Sequence, residues 1–180
     1  MSRMPAENMT IDCIFSEDRR YRYVWRTVWD PLLRPCVFIG LNPSTADETK
    51  ADPTIRRCIK FATRWECGSL TMLNLFAFRS TDPYGLQVQA DPVGPENDWV
   101  LTNHVKHVTE GCEAVAPGLV ICAWGIHGHL RGRADEVLSL LRDYRLHALK
   151  LTADGAPGHP LYLRGDSEPF EYRPGSGVGA

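Results

Sequence analysis

Four short apolar runs, at residues 36–41, 70–76, 119–124 and 146–151, alternate with segments of helical period, and that alternation leaves the chain few folds to choose from. Strands separated by helices are joined by right-handed crossovers that cover both faces of a sheet. The pattern predicts an α/β three-layer sandwich with a mostly parallel central sheet of about four strands. The first run, Cys36-Val37-Phe38-Ile39, lies between Pro35 and Gly40 and stops in the polar stretch Asn42-Pro43-Ser44-Thr45-Ala46-Asp47. In open sheets of this kind ligands bind outside the carboxyl ends of the strands. Each strand should discharge its loop at that edge, which would gather Asn42, Ser44 and Asp47, then Asn74 and Arg79, then Trp124 and His127, then His159. Taken alone, the first of these loops reads as an ordinary strand-to-helix connection rather than a site.

Between the runs, Asp52-Pro53 is an N-cap followed by proline at the first helical position, and Ile55, Cys58, Ile59, Ala62 and Trp65 recur at helical spacing up to Gly68. A helix over 53–66 follows. Leu101, Val105, Val108 and Cys112 mark a second over 96–112, and Ala134, Val137, Leu138 and Leu141 a third over 131–143. Ahead of them, residues 11–15 and 21–29 read as a β-hairpin, with Tyr21, Tyr23 and Trp25 on one face and Arg22, Val24 and Arg26 on a solvated one. Arginines among aromatics also suit nucleic acid, but a half-buried strand needs fewer assumptions. Residues 79–98 hold too many prolines to be regular, and a loop this long is usually functional or flexible. The organisation expected is one domain over 10–173 with flexible termini at 1–9 and 174–180.

Lys and Arg number 20 against 22 Asp and Glu, so no global basic field draws the chain to nucleic acid or membrane. No apolar run approaches the roughly 20 residues that span a bilayer, and the N-terminus lacks a signal-peptide core, which points to the cytoplasm. The six cysteines show no metal-ligand spacing and read as small hydrophobes. His104 and His107 suggest no third ligand, so no metal site and no cofactor are expected. Ser44 with His159 would suit a Ser-His-Asp hydrolase, but the loop lacks the G-x-S-x-G elbow. Asn74, set among Met72, Leu73, Leu75 and Phe76, must find partners if buried. It either ties down a neighbouring loop, the simpler reading, or reads a ligand at the strand's end.

The succession Gly40-Leu41-Asn42-Pro43-Ser44, Leu73-Asn74, Val120-Ile121-Cys122-Ala123-Trp124-Gly125 and His159-Pro160 resembles the uracil-DNA glycosylase superfamily. The longer strings Gly-Leu-Asn-Pro-Ser-Thr-Ala-Asp, Asp91-Pro92-Val93-Gly94-Pro95-Glu96-Asn97-Asp98 and His159-Pro160-Leu161-Tyr162-Leu163 resemble more closely a bacterial and phage family known only as a domain of unknown function. The first resemblance implies a glycosylase-like fold and a hydrolase of N-glycosidic bonds in nucleic acid or a nucleotide, acting as a monomer. Asn42 would position a water, Asn74 would read an extruded base, and Phe76 or Trp124 would stack on it. His159 would face the departing base or the flanking phosphate, with Ser44, Asp47 and Tyr162 beside the substrate, while Arg79, Arg131 and Arg133 would meet phosphates. The His-Pro loop departs from familiar members by continuing Leu-Tyr-Leu, and the acids of residues 82–98 would repel a phosphate backbone if they lined the groove. Two alternatives stand beside this reading: a binding module on the same fold without chemistry, and a metal-dependent hydrolase using Asp47, Asp52 and histidines.

Overall fold

The computed structural model describes residues 10–44, 50–82, 84–111 and 115–174. They form one mixed sheet of seven strands: β1 Thr10–Phe15, β2 Arg22–Val28, β3 Pro35–Gly40, β4 Ser69–Asn74, β5 Leu119–Cys122, β6 His147–Ala148 and β7 Phe170–Glu171, in the spatial order β1-β2-β4-β3-β5-β6-β7. Four α-helices accompany it: α1 Pro53–Arg64, α2 Tyr84–Val88, α3 Asn97–Glu110 and α4 Arg133–Leu140. The chain is therefore α/β as expected, but the sheet is mixed and larger than the expected one. Parallel pairing is confined to β4-β3-β5-β6. The hairpin β1-β2 adds antiparallel to β4 on one side and β7 adds antiparallel to β6 on the other. Those additions cover sheet edges that would otherwise expose unpaired backbone.

Period-2 alternation along the central strands divides two cores. Cys36 and Phe38 of β3, Leu70 and Met72 of β4 and Ile121 of β5 face α1, meeting its buried Ile55, Cys58, Ile59, Phe61 and Ala62. Val37, Ile39, Leu73, Val120 and Cys122 face the other way, onto α3 and α4. The apolar stripe of α1 and its Asp52 cap agree with the sequence, as do the positions of α3 and α4 within a few residues.

Three expectations need correction. The aromatics of β2 do not share a face: Tyr21 and Tyr23 join the α3/α4 core, whereas Trp25 joins the α1 core. The cause is a β-bulge, since Ile14 pairs with Val24 but Phe15 pairs with Arg22, leaving Tyr23 as the extra residue. Arg22 and Val24 are consequently buried, and only Arg26 keeps the solvated position. Residues 79–98 are not wholly irregular, because they contain α2, whose C-terminal carbonyls are bound by the Arg131 guanidinium. The strand expected over 146–151 shrinks to two residues, because Lys150 and Thr152 turn to hydrogen-bond the returning segment at Gly158 and Ala156. The termini at 1–9 and 175–180, together with Asp47 and Cys112, lie outside the described residues. No helix among the described residues is long and apolar enough to cross a membrane.

Candidate functional site

The carboxyl ends of β3, β4 and β5 open on one cavity of about 730 Å³. That size lies in the range of about 300 to 1,000 Å³ usual for small-molecule sites. The strand order places it at a topological switch: the chain leaves β3 for β4 on one side and then crosses to β5 on the other. The start of α1, with Asp52, Thr54 and Ile55, supplies one wall.

Asn42, two residues beyond β3, is fixed by its own amide: Nδ2 donates to Pro43 O at 3.1 Å and to Ser80 O at 2.7 Å. Ser80 N returns a bond to Pro43 O at 3.0 Å, so the two loops are laced together. With both amide hydrogens engaged, Asn42 offers the cavity only the acceptor Oδ1. Ser44 Oγ donates to Asp52 Oδ2 at 2.9 Å, while Asp52 Oδ1 accepts from Ile55 N at 2.8 Å as the cap of α1.

Asn74 closes β4 directly opposite Gly40 of β3. A Cβ on Gly40 would lie 3.0 Å from Asn74 Oδ1, so the glycine leaves room for the amide. Asn74 is 3% exposed and lines the cavity, and its buried Nδ2 has no hydrogen-bond partner among the described residues. A buried amide left in that state costs about 1 to 3 kcal/mol. Asn74 stands at the strand's end beside the cavity, with its Nδ2 itself buried. The loop-tying role belongs instead to Asn97, whose Nδ2 donates to the carbonyls of Asn74 and Leu75 at 3.1 and 2.9 Å.

Trp124 lines the cavity two residues beyond β5. Its indole lies against Gly128, where an added Cβ would fall 2.1 Å from Cδ1. Gly125, at φ 72°, then turns the chain, and its N–H donates to Pro157 O at 2.8 Å. That bond brings in the loop carrying His159. Burial holds the His159 imidazole below its ordinary pKa, against the opposing pull of the Asp52 carboxylate. Leu161 N donates to Nδ1 at 3.4 Å, which leaves Nε2–H as the donor of the neutral ring. The Tyr162 ring stands at the mouth, 86% exposed, its centroid 5.6 Å from that of His159.

The cavity thus brings together Asn42, Ser44, Asn74, Trp124, His127, His159 and Tyr162 of the expected residues. Others sit elsewhere. Phe76 is fully buried in the α3/α4 core and does not reach the cavity as a stacking platform. Arg79 lies over the Phe15 ring at 5.2 Å and donates to Arg19 O. Arg131 spends its donors on the carbonyls of Gln87, Gln89 and Ala90. Arg133 is 2% exposed and donates to Leu75 O, Glu136 and Asp98, so a structural junction replaces the expected phosphate contact. The acids of residues 82–98 do not line the cavity, which removes the repulsion expected of them.

Sequence reasoning missed Arg22, Met72 and Lys150 as cavity residues and treated Asp52 chiefly as a cap. Arg22 arrives only through the bulge at Tyr23, which nothing in the alternation of residues 21–26 announces. Among the described residues lining the cavity Asp52 is the one carboxylate, and Arg22 and Lys150 are the full cations. No group of three or more His, Cys, Asp or Glu among the described residues is placed to hold a metal ion.

A family model described as "Protein of unknown function (DUF1643)" matches residues 22–161. The chain belongs to that family. Its matched span runs from Arg22 on the bulge to Leu161 beside the His159 loop, and so takes in nearly every element that builds the cavity. No curated protein and no solved structure matches the chain.

Proposed function

We propose that this cavity receives a nucleobase and that the protein hydrolyses the N-glycosidic bond of a damaged or modified base, in nucleic acid or in a nucleotide. What carries the reading is the convergence of Asn42, Asn74, Trp124 and His159 on one cavity at the carboxyl ends of the central strands. An amide at the end of a strand can pair with the Watson–Crick edge of a base, and Trp124 offers an aromatic wall. Asn42 acts by placement. Its Oδ1 accepts a hydrogen bond from the attacking water and, as an amide, takes no proton. His159, neutral with its proton on Nε2, donates to the charge that grows on the departing base. Removing one such donor costs about 2.7 to 4 kcal/mol of barrier.

The test is release of free base, read by mass spectrometry, from oligonucleotides and nucleotides carrying deaminated, alkylated or oxidised bases. Wild type should release base with chelator present, and Asn42→Ala and His159→Ala should each be slower by about 100-fold or more. A protein that binds a base in an Asn74-dependent way but frees none is a binding module instead. That second reading draws support from the engagement of both Asn42 amide hydrogens by backbone carbonyls. Loss of release on adding chelator would favour the metal-dependent hydrolase, for which Asp47 lies outside the described residues.

A further inference from the structure

We infer that a second cavity, at the end of the sheet opposite the first, binds a small organic anion: a phosphate or carboxylate head carried on an apolar body. The cavity measures about 380 Å³ and shares no lining residue with the one described above. That size falls at the lower end of the range of about 300 to 1,000 Å³ for small-molecule sites. The inference stands apart from the glycosidic reading and does not depend on it.

The cavity lies where β3 and β4 begin and β2 ends, beside α3. Period-2 alternation decides which side chains floor it. Leu70 and Met72 of β4 turn to the α1 core, so Ser69 and Thr71 turn the other way, toward α3. Their register partners on β2 are Val28 and Arg26, which stand beside them on the same face. Ser69 is 7% exposed and Thr71 4%, polar residues kept inside the fold at the edge of a cavity, whereas Arg26 is exposed. From α3 come His104 and His107, three residues apart and so on one side of the helix.

The charge that gathers here is one-sided. Burial first, and then the positive fields of Arg26 and His107, hold the His104 imidazole below its ordinary pKa, against the pull of Val100 O. Asp30 is the one carboxylate among the described residues lining the cavity, and its Oδ1 already accepts from Leu32 N at 3.0 Å. Asp12 on β1 is the exposed register partner of Arg26, and Lys106 and Glu110 of α3 pair with each other at 3.9 Å. Nδ1 of His104 lies 3.0 Å from Val100 O and, since a carbonyl only accepts, carries the hydrogen. Nε2 is the ring nitrogen left for a ligand, and once protonated it donates. An anion beside Arg26 and His104 supplies their countercharge and takes charge-assisted hydrogen bonds, with the hydroxyls of Ser69 and Thr71 as further donors. Val28, Leu33 and Val108 add an apolar wall, which suits an organic body better than a bare inorganic ion.

The test measures binding of phenyl phosphate, benzoate and phenol to the full chain by titration calorimetry, with proton NMR of the histidine rings alongside. At least one of the two anions should bind with a Kd below about 1 mM, and phenol should not bind. Preference for phenyl phosphate marks a phosphate monoester as the class of ligand and preference for benzoate a carboxylate; either result supports the inference. Arg26→Gln, at an exposed position, and His104→Gln should each weaken binding by about tenfold or more, and Thr71→Val by about threefold, with urea midpoints checking that each variant is folded. Bound anion should also raise the pKa of His104, because it favours the imidazolium. Asn74→Leu should bind the anion as wild type does. Failure of both anions to bind, equal binding of phenol, or binding that survives both Arg26→Gln and His104→Gln overturns the inference. Binding lost in Asn74→Leu but kept in Arg26→Gln assigns the anion to the first cavity and overturns it as well.

Discussion

The two sides of the carboxyl end of β4 bury the same kinds of polar residue and use them differently. On the α3/α4 side, Asn97 is 1% exposed and Arg133 2%. Asn97 Nδ2 clamps the carbonyls of Asn74 and Leu75, and Arg133 Nε donates to Leu75 O at 2.9 Å while its other nitrogens reach Asp98 and Glu136. On the cavity side Asn74, at 3%, leaves Nδ2 without a partner among the described residues. Asparagine side chains of nearly equal burial thus differ in which end is answered: Asn97 has its Nδ2 on backbone carbonyls and its Oδ1 without a partner among the described residues, and Asn74 has its Nδ2 without one. Burial alone does not distinguish a structural polar group from a functional one. What differs at β4 is that the donors of Asn97 and Arg133 are answered from within the fold, although unanswered donors also occur away from the cavity, at Thr27 and Trp65.

The largest effect expected from breaking this contrast is at Arg133. Arg133→Met strips a buried carbonyl of a donor and removes the junction between α3 and α4, so unfolding by urea should show a loss of about 3 kcal/mol. Base binding per folded molecule should not change.

A matched pair of asparagine substitutions sharpens the contrast further. Asn97→Leu should cost about 2 kcal/mol, because Asn74 O loses this donor and Leu75 O keeps only that of Arg133. Asn74→Leu should leave stability within about 1 kcal/mol of wild type or raise it, since it removes an amide nitrogen that has no acceptor among the described residues. The same variant should lose base binding by about tenfold or more, measured by titration calorimetry. Equal destabilisation by the two substitutions would erase the distinction between the two sides.

The smallest effect is on pH dependence. Burial lowers the pKa of His159, His104 and His147 below the ordinary 6.5. In the unfolded chain these rings take up protons as pH falls through about 6.5, while in the folded protein they stay neutral to lower pH. The unfolded state then binds more protons, so stability falls from pH 6.5 downward until the folded rings also titrate, and is level above. Urea midpoints at pH 7.5 and 5.5 should differ in that direction, and His159→Gln should narrow the difference. A wider gap in that variant would mean that the pull of Asp52 outweighs burial at His159.

Much of the fold was legible because its signals are local. The Asp52-Pro53 cap and the spacing Ile55, Cys58, Ile59, Ala62 define α1 without help from elsewhere, and the run Cys36-Val37-Phe38-Ile39 ended by Gly40 defines β3. The edge where Asn42, Asn74, Trp124 and His159 meet was legible too, since strands linked by helices deliver their loops to one side. Arg133 and Phe76 misled for one reason: each lies near a strand end or loop, and a linear pattern does not say toward which core a side chain turns.

What the sequence determined by itself was the set of elements and the edge at which their loops gather, because hydrophobic period, caps and turn residues act within a few positions of the chain. What only the tertiary structure decided was the growth of the sheet to seven strands, the bulge at Tyr23 that turns Arg22 into the cavity, and the commitment of Arg131 and Arg133 to the frame. These depend on which donor meets which acceptor across tens of residues. That is settled by packing and register between elements, where no local pattern carries the information.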